Sequence, residues 1–298
     1  MTEITVFSAP KPFTDPHINL IQRNAIRSWK QIEKAEILLI GQEEGLSGAA
    51  EELGVRHLAG AAKNRHGTPL ISSIFELARE ASTSQLLIYV NADIILFPEL
   101  LGTVRDVASQ VDPFLAVGHR WDLEVQETID FSLGWRERLL EEVANRGRQQ
   151  RAFAIDYFIF PRTIFTQIPD FAVGRAGWDN WMIYHAREKG WPVVDLTSAV
   201  KAVHQNHDYG HLPGGQIHLN LEESAENIEL GGGIQNSYSI LDADREYRHG
   251  TITRPRASMI RLLRKLELLI RPSKPGGKRW YLSRKIRKLW VRLEQGRL

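Results

Sequence analysis

The sequence predicts an α/β protein with a doubly wound, mostly parallel sheet and a basic helical C-terminal tail. Three observations predict this class. Short apolar runs alternate with helical apolar periods over residues 4–109. The run 86–96 is apolar except at Asn91 and Asp93, as in a strand that is buried on both faces. Residues 254–298 hold 15 Lys and Arg against 2 Asp and Glu, whereas the rest holds 23 against 34.

The first half of the chain reads as βαβ units. Strands are expected at 4–7, 35–40, 55–58 and 86–96, and helices at 18–32, 49–53, 68–81 and 98–109. Thr68 and Pro69 are typical of the N-cap and first position of the third helix. Strands that alternate with helices indicate parallel pairing with right-handed crossovers.

The second half is less regular. Strands are expected at 114–117, 153–160, 193–195 and 199–203, a solvated charged helical excursion at 124–150, and a helix from about 178 to Gly190. We therefore divide the chain into a sheet domain (1–212), an irregular segment rich in Gly, Asn and Glu (213–253) and the basic tail (254–298).

Composition excludes several classes of protein. The 298 residues include no cysteine, which excludes a disulfide scaffold, a thiolate zinc site and a cysteine nucleophile. The N-terminus has no signal-peptide pattern, and no apolar run reaches 18 residues. These features predict a cytoplasmic protein.

Asn91 and Asp93 are the first candidate site. A bare carboxylate is costly to bury, so Asp93 is expected at the carboxyl end of its strand, where open α/β sheets place ligands. Strand alternation would put Asn91 and Asp93 on one side, where they could hold a cation and a phosphate. The alternative is that Asp93 caps the next helix or closes a turn.

Two later segments also carry polar groups suited to chemistry. Residues 204–211 include His204, His207 and His211, and imidazole with carboxylate suits Mn²⁺ or a similar cation. A hydrogen-bonded surface loop is the alternative. Asp179 opens a helix between Trp178 and Trp181, which favours a general base in an aromatic pocket. The alternative is a helix cap.

Together these segments resemble glycosyltransferases of the GT-A fold, over roughly residues 3–211. Asn91-Ala92-Asp93 resembles the Asp-x-Asp motif of that family, with Asn in place of the first Asp. Gly177-Trp178-Asp179-Asn180 resembles the acceptor-activating region of inverting members, and His204 or His207 matches a late metal-binding His. More narrowly, 156–162, 177–181 and 204–208 look like a group of uncharacterised bacterial and plant glycosyltransferase-like proteins.

The resemblance implies a fold, a reaction and residue roles. It implies a GT-A-like sheet that binds a nucleotide-diphospho-sugar with a divalent cation, Mn²⁺ or Mg²⁺, and transfers the sugar to a hydroxyl of a glycan or lipid-linked acceptor. Asp179 would be the catalytic base; inversion or retention stays open. The implied metal ligands are Asp93, His204 and His207. The implied donor-binding residues are Ser8, Lys11, Gln42, Asn64, Arg65 and Asn91. The implied acceptor-binding residues are Trp121, Asp156, Trp178, Asn180 and Trp181.

The basic tail predicts a different kind of surface. Apolar residues recur with helical spacing over 259–270 and 280–293, with Lys and Arg between them. Such helices suit an anionic membrane, so we expect a peripheral protein at the inner face of the membrane. Packing of the first apolar stripe on the body is the alternative. Nucleic acid is discounted because the body is acidic and carries no nucleic-acid motif.

Two other functions stay open. A nucleotidyltransferase on a related sheet would need a Gly-rich basic loop after the first strand, and 8–12 is short and lacks glycine. A non-catalytic sugar-binding or assembly protein with a degenerate site is compatible with Asn91.

Overall fold

The fold is taken from a computed structural model that describes residues 2–207, 222–272 and 276–296. The helices are α1 (Pro16–Trp29), α2 (Leu46–Leu53), α3 (Ile71–Ala81), α4 (Leu100–Gln110), α5 (Trp135–Arg146), α6 (Trp178–Glu188), α7 (Glu222–Leu230), α8 (Met259–Ile270) and α9 (Gly277–Gln295). The strands are β1 (Ile4–Ser8), β2 (Ala35–Ile40), β3 (Arg56–Leu58), β4 (Leu86–Val90), β5 (Ile94–Leu96), β6 (Leu115–Val117), β7 (Arg120–Leu123), β8 (Arg148–Gln149), β9 (Tyr157–Pro161), β10 (Val193–Asp195), β11 (Ala202–Gln205), β12 (Arg245–Arg248) and β13 (Thr251–Thr253).

Within the described ranges, the main sheet has the strand order β13-β12-β10-β6-β9-β4-β1-β2-β3. β9 runs antiparallel to β4 and β6, and β13 runs antiparallel to β12. The other neighbours are parallel. The predicted α/β class with a mostly parallel sheet is confirmed.

The main sheet is buried on both faces. Ile88 and Val90 of β4 belong to one apolar cluster with α1, α2 and α4. Leu87 and Tyr89 alternate with them and belong to a second cluster with α3 and α6. This alternation explains why the β4 sequence is apolar without interruption.

A smaller sheet, in the order β5-β11-β7-β8, lies beside the end of β4. β11 pairs antiparallel with β5 and parallel with β7. The charged segment 124–150, expected to be solvated, contributes α5, whose Trp135, Leu139 and Val143 pack against this sheet. This packing fixes the loops that carry the polar residues described below.

Two local expectations are corrected. The run 86–96 is not one strand, because the chain turns at 91–93 and the last three residues join the smaller sheet. Thr68 and Pro69 do not begin α3, which starts at Ile71 with Leu70 at its N-cap position. Pro69 and Thr68 instead lie in a loop where the backbone amide of Asn64 donates to the Thr68 carbonyl at 2.9 Å.

The expected irregular segment 213–253 is also corrected for the part that the structure describes, 222–253. It contains α7, two 3₁₀ turns, β12 and β13. β12 pairs with β10, so this segment completes the main sheet. Composition did not predict these strands, because β12 consists largely of charged residues.

The basic tail forms a pair of packed helices, α8 and α9. The buried residues of α8 are Ile260, Arg264 and Glu267. Three of its leucines face outward: Leu262 is 52%, Leu266 is 41% and Leu269 is 74% exposed. None of the helices in the described ranges is long and apolar enough to cross a membrane.

Candidate functional site

Asp93 lies in the turn that joins the two sheets. The turn forms where β4 ends: the Asn91 amide donates to the Asp156 carbonyl at 2.9 Å, and the Ile94 amide donates to the Asn91 carbonyl at 3.1 Å. Asp93 therefore follows the carboxyl end of a central strand, as expected. The Gln205 amide donates to the Asp93 carbonyl at 3.1 Å, which ties the turn to β11.

Two histidines meet the Asp93 carboxylate. His207 Nε2 is 3.1 Å from Asp93 Oδ2, and His204 Nε2 is 3.8 Å from the same oxygen. Burial raises the pKa of Asp93, but the nearby His204, His207 and Lys11 outweigh it and hold the pKa well below its usual range. The carboxylate is therefore ionised at neutral pH.

The three side chains fit a divalent cation. Their ligand atoms lie within 4.8 Å of one another. Asp93 Oδ1 is buried and has no hydrogen-bond partner among the residues that the structure describes. A buried oxygen without a partner is costly, and a cation would satisfy it. One carboxylate and two imidazoles form a ligand set suited to Mn²⁺ or a similar ion. His211, the third histidine of this segment, lies outside the described residues.

Lys11 reaches the same cluster from the loop after β1. Its Nζ is 3.1 Å from His207 Nε2 and 3.9 Å from Asp93 Oδ2. Burial lowers the pKa of Lys11, while the Asp93 charge opposes that shift. The sequence placed Lys11 among the donor-binding residues, and the structure brings it to the expected metal ligands.

Three charged residues form a chain of ion pairs that begins at His204. His204 Nδ1 is 3.2 Å from Asp122 Oδ1, its cross-strand neighbour on β7. Arg120 pairs with Asp122 at 2.9 Å and with Asp156 at 2.9 Å. A carboxylate beside the second ring nitrogen of a histidine orients the ring toward a metal. Sequence analysis missed Arg120 and Asp122; their only signal was a polar stretch directly after an apolar strand.

Asn91 and Asp156 are tied to each other. Asn91 Nδ2 donates to Asp156 Oδ1 at 2.7 Å, because antiparallel pairing sets the end of β4 opposite the start of β9. Asp156 is buried, and its oxygens also accept from Arg120. That Asp156 binds an acceptor stays a prediction; in the structure its carboxylate accepts from Asn91 and Arg120.

Asp179 lies in the first turn of α6. Its Oδ1 accepts from the Asn180 amide at 2.8 Å. Burial raises the pKa of Asp179 to about 7, and the Asp156 charge adds to that shift. Asn180 Nδ2 is buried without a hydrogen-bond partner in the described ranges. A carboxylate with a pKa near neutrality is suited to accept a proton.

The two flanking tryptophans are part of the core. Trp178 is 4% exposed and packs edge-on against Tyr89, with ring centroids 5.1 Å apart. Trp181 stacks on His185 at 4.5 Å. That these rings bind an acceptor stays a prediction; in the structure little of either ring is accessible. Trp121 is half-buried on β7, and its ring lies 3.8 Å from Lys201 Nζ.

The remaining donor-binding candidates are spread along the carboxyl ends of the strands. Ser8 is buried, and its hydroxyl has no hydrogen-bond partner in the described ranges. Gln42 is exposed after β2. Asn64 donates to Glu223 at 2.8 Å, and Arg65 pairs with Glu222 at 2.9 Å. Asn64 and Arg65 therefore contact α7, a helix that the sequence did not predict.

A cleft of about 1090 Å³ opens beside the histidine cluster. Lys11 and His207 line it together with Asp15, His17 and Glu124. The arrangement places a cation site, an ammonium group and an open space next to one another. Such a site can receive an anionic ligand that is larger than a single phosphate.

The chain was compared with known proteins. No family model matches the sequence, and no curated protein matches it. A solved structure of glucosyl-3-phosphoglycerate synthase from Mycobacterium tuberculosis, in complex with Mn²⁺, UDP-glucose and phosphoglyceric acid, is similar at a TM-score of 0.47 and 14% identity, over 87% of this chain and 88% of that one. A mannosyltransferase from Pyrobaculum calidifontis, in complex with GDP-mannose and Mn²⁺, is similar at a TM-score of 0.44 and 14% identity, over 70% and 58%. Both proteins are similar to this chain in the fold of the backbone.

Proposed function

We propose that the chain is a metal-dependent glycosyltransferase that moves a sugar from a nucleotide-diphospho-sugar to a hydroxyl acceptor. The observation that carries the proposal is the meeting of Asp93, His204 and His207 at the end of a central strand, next to Lys11. Three separate parts of the sequence supply them, since His204 and His207 belong to one segment, and together they create a site of high positive potential once a cation is bound.

The residues have distinct roles in this reaction. Asp93, His204 and His207 hold the cation, and Asp122 orients His204. A bound divalent cation supplies positive charge against the leaving diphosphate. Lys11 adds a second positive charge at the same place. The glycosidic C–O bond to the diphosphate breaks, and a bond forms to the acceptor oxygen.

Asp179 is proposed to take the proton that the acceptor hydroxyl loses. Its pKa of about 7 makes it a stronger base than an ordinary aspartate while leaving a large ionised fraction at neutral pH. The charge of Asp156 raises this pKa further, and Asp156 itself accepts from Asn91 next to the cation site.

Asp93→Asn tests the cation site. Replacing the carboxylate by an amide removes the only negative ligand of the set, so we expect Mn²⁺-dependent binding of nucleotide-sugars to be lost. A panel of nucleotide-sugars measured by thermal shift, with and without Mn²⁺, gives the readout. The matched control is Asp170→Asn, an exposed aspartate that accepts from Ser72.

The same panel, with hydrolysis and transfer of each nucleotide-sugar measured as well, separates the proposal from the alternative functions. Unchanged Mn²⁺-dependent binding in Asp93→Asn would remove Asp93 as a ligand. Binding in the wild type with neither hydrolysis nor transfer would indicate a non-catalytic sugar-binding protein. A preference for nucleoside triphosphates over nucleotide-sugars would indicate a nucleotidyltransferase.

We also propose that the chain works at the anionic inner face of a membrane, on a glycan or lipid-linked acceptor. The exposed leucines of α8 and α9 support this, since Leu282 and Leu289 of α9 are about as exposed as Leu262 of α8. The segment that carries them, 254–298, holds 15 Lys and Arg against 2 Asp and Glu, whereas the rest of the chain is acidic. Apolar side chains surrounded by Lys and Arg suit a surface of anionic lipid.

A further inference from the structure

A second cleft, of about 470 Å³, lies between α9, the end of α8 and the loop that carries Arg151 and Phe153. None of the residues that line this cleft belongs to the Asp93 cluster. Five basic side chains line it: Arg151, Arg271, Arg284, Arg287 and Lys288. Glu267 is the one acidic residue of the lining, and it is already paired with Arg264 and Arg271.

Four of these five cations have no anionic partner among the residues that the structure describes. Arg271 pairs with Glu267 and donates to the Ile234 carbonyl at 3.0 Å. In contrast, Arg151, Arg284, Arg287 and Lys288 make no ion pair and no side-chain hydrogen bond with any residue in the described ranges. Like charges gathered around one cleft repel each other, so the arrangement costs free energy until an anion neutralises it.

Two of the arginines are held in place by aromatic rings. The guanidinium carbon of Arg287 lies 4.9 Å from the ring centroid of Phe153, and that of Arg284 lies 4.7 Å from the ring of Trp280. A guanidinium over a ring keeps its N–H edge available for a planar acceptor such as phosphate. Burial lowers the pKa of the half-buried Arg287, and the charges of nearby arginines lower it further.

The remaining wall of the cleft is apolar. Phe153, Ile234 and Val291 contribute to it, together with the ring of Trp280. A small inorganic anion would leave this wall in contact with water. A ligand that combines phosphate with an apolar chain would use both parts of the lining.

We propose that this cleft is a binding site for the phosphate group of an amphiphile, with the phosphate on Arg284 and Arg287 and the apolar chain on the adjoining wall. The inference deepens the membrane surface proposed above and rests on it. In addition to a diffuse attraction between charges, the protein would then have one lipid-binding site of defined stoichiometry. This site lies on the same helices that expose the leucines.

The test compares two pairs of substitutions on α9. Arg284→Gln with Arg287→Gln removes two charges from the cleft. Lys285→Gln with Arg292→Gln removes two charges from exposed positions of the same helix outside the lining. Diffuse attraction alone predicts the same loss for both pairs, about fivefold per charge in binding to anionic vesicles. A specific site predicts that the affinity for these vesicles falls at least tenfold more in the cleft pair than in the other pair.

The probes are a short-chain phosphatidic acid below its micellar concentration, inorganic phosphate, and phosphatidylcholine vesicles that contain phosphatidic acid. We expect the short-chain lipid to bind the wild-type full chain by calorimetry with a one-to-one stoichiometry, and inorganic phosphate to bind much more weakly. Equal losses in both pairs of variants would overturn the site. Equal affinity for inorganic phosphate would overturn the amphiphile as its ligand.

Two further measurements keep the result interpretable. Thermal unfolding of each pair, and the conservative variant Arg287→Lys, separate loss of binding from loss of fold. Mn²⁺-dependent nucleotide-sugar binding is measured in the same variants and is expected to be unchanged. Absence of that binding in the wild type would count against the glycosyltransferase and leave the phosphate site intact.

Discussion

His207 Nε2 lies 3.1 Å from a carboxylate oxygen and 3.1 Å from an ammonium nitrogen. A single ring nitrogen can donate to Asp93 or accept from Lys11, but it cannot do both at once. A divalent cation bound between the imidazole and the carboxylate would replace both of these contacts of Nε2, because the ring nitrogen and the carboxylate oxygen would then act as lone-pair donors to it. This local conflict is the strongest residue-level reason to regard the cluster as a metal site.

Asp179 gives a prediction for the pH dependence of turnover. The base must be ionised, so kcat/KM should rise with pH and level off above about 7, the pKa that burial gives Asp179. Asp179→Asn should abolish transfer and keep donor binding. Near-wild-type turnover in that variant, or a rate that is independent of pH between 5 and 8, would exclude Asp179 as the base.

The same raised pKa has a consequence for stability. The folded state binds the Asp179 proton more tightly than the unfolded state does. Protonated Asp179 therefore adds its full contribution to the free energy of unfolding below about pH 4, and this contribution is lost as the pH rises toward 7. Relative to wild type, Asp179→Asn should therefore gain about 1 to 3 kcal/mol in free energy of unfolding between pH 4 and pH 8. Urea unfolding measures it, with Asp170→Asn as the exposed control.

Sequence reasoning reached some residues of the site and missed others for a physical reason. Asp93 and His204 could be predicted, because each is a charged or titratable residue next to an apolar strand. The pairing of Arg120 with Asp156 could not, since it depends on two strands meeting in space. The burial of Trp178 depends likewise on Tyr89 and Phe158, which pack against it from other strands.

At the scale of elements, α8 shows where periodicity is ambiguous. The spacing of its apolar residues predicted a helix, and the helix is present. Periodicity does not tell which face is buried, and here the buried face carries Arg264, which is 0% exposed. Arg264 donates to Asp242 at 2.7 Å and to Glu267 at 3.0 Å, and Trp290 of α9 donates to Glu267 at 2.7 Å.

The buried charges of Arg264, Asp242 and Glu267 should stabilise the packing of the tail against the rest of the protein. In Arg264→Ala, the carboxylates of Asp242 and Glu267 would be left buried without their main partner, at a cost of about 3 to 5 kcal/mol. Urea unfolding gives the free-energy change. Lys265→Ala, on the exposed side of the same helix, should change stability by less than about 0.5 kcal/mol. Similar small effects in both variants would mean that the group contributes little.

The run 86–96 illustrates a second limit at this scale. Its composition predicted a strand correctly, but a continuous apolar stretch gives no sign of a turn in its middle. The turn depends on partners far along the chain, β9 on one side and β11 on the other. It moves Asp93 away from the sheet interior and toward His204.

In the molecule as a whole, the tail carries the net positive charge and most of the exposed large apolar side chains of the described residues. We expect Leu262→Gln with Leu269→Gln to weaken binding to anionic vesicles by about tenfold, since two exposed leucines lose their apolar contact with lipid. Co-sedimentation measures it. Leu133→Gln with Leu230→Gln, exposed leucines outside the tail, is the control and should bind like wild type. Equal binding by all three proteins would refute the membrane surface.

The placement of β12 and β13 beyond α7 has a practical consequence. A fragment that stops at residue 212, where composition suggested a boundary, would lack both strands and leave one side of β10 without a hydrogen-bonding neighbour. An open row of backbone amides and carbonyls is a template for joining another molecule, so such a fragment would be prone to aggregate. Crystallisation or expression trials of a shortened chain should therefore retain the residues up to Thr253 at least.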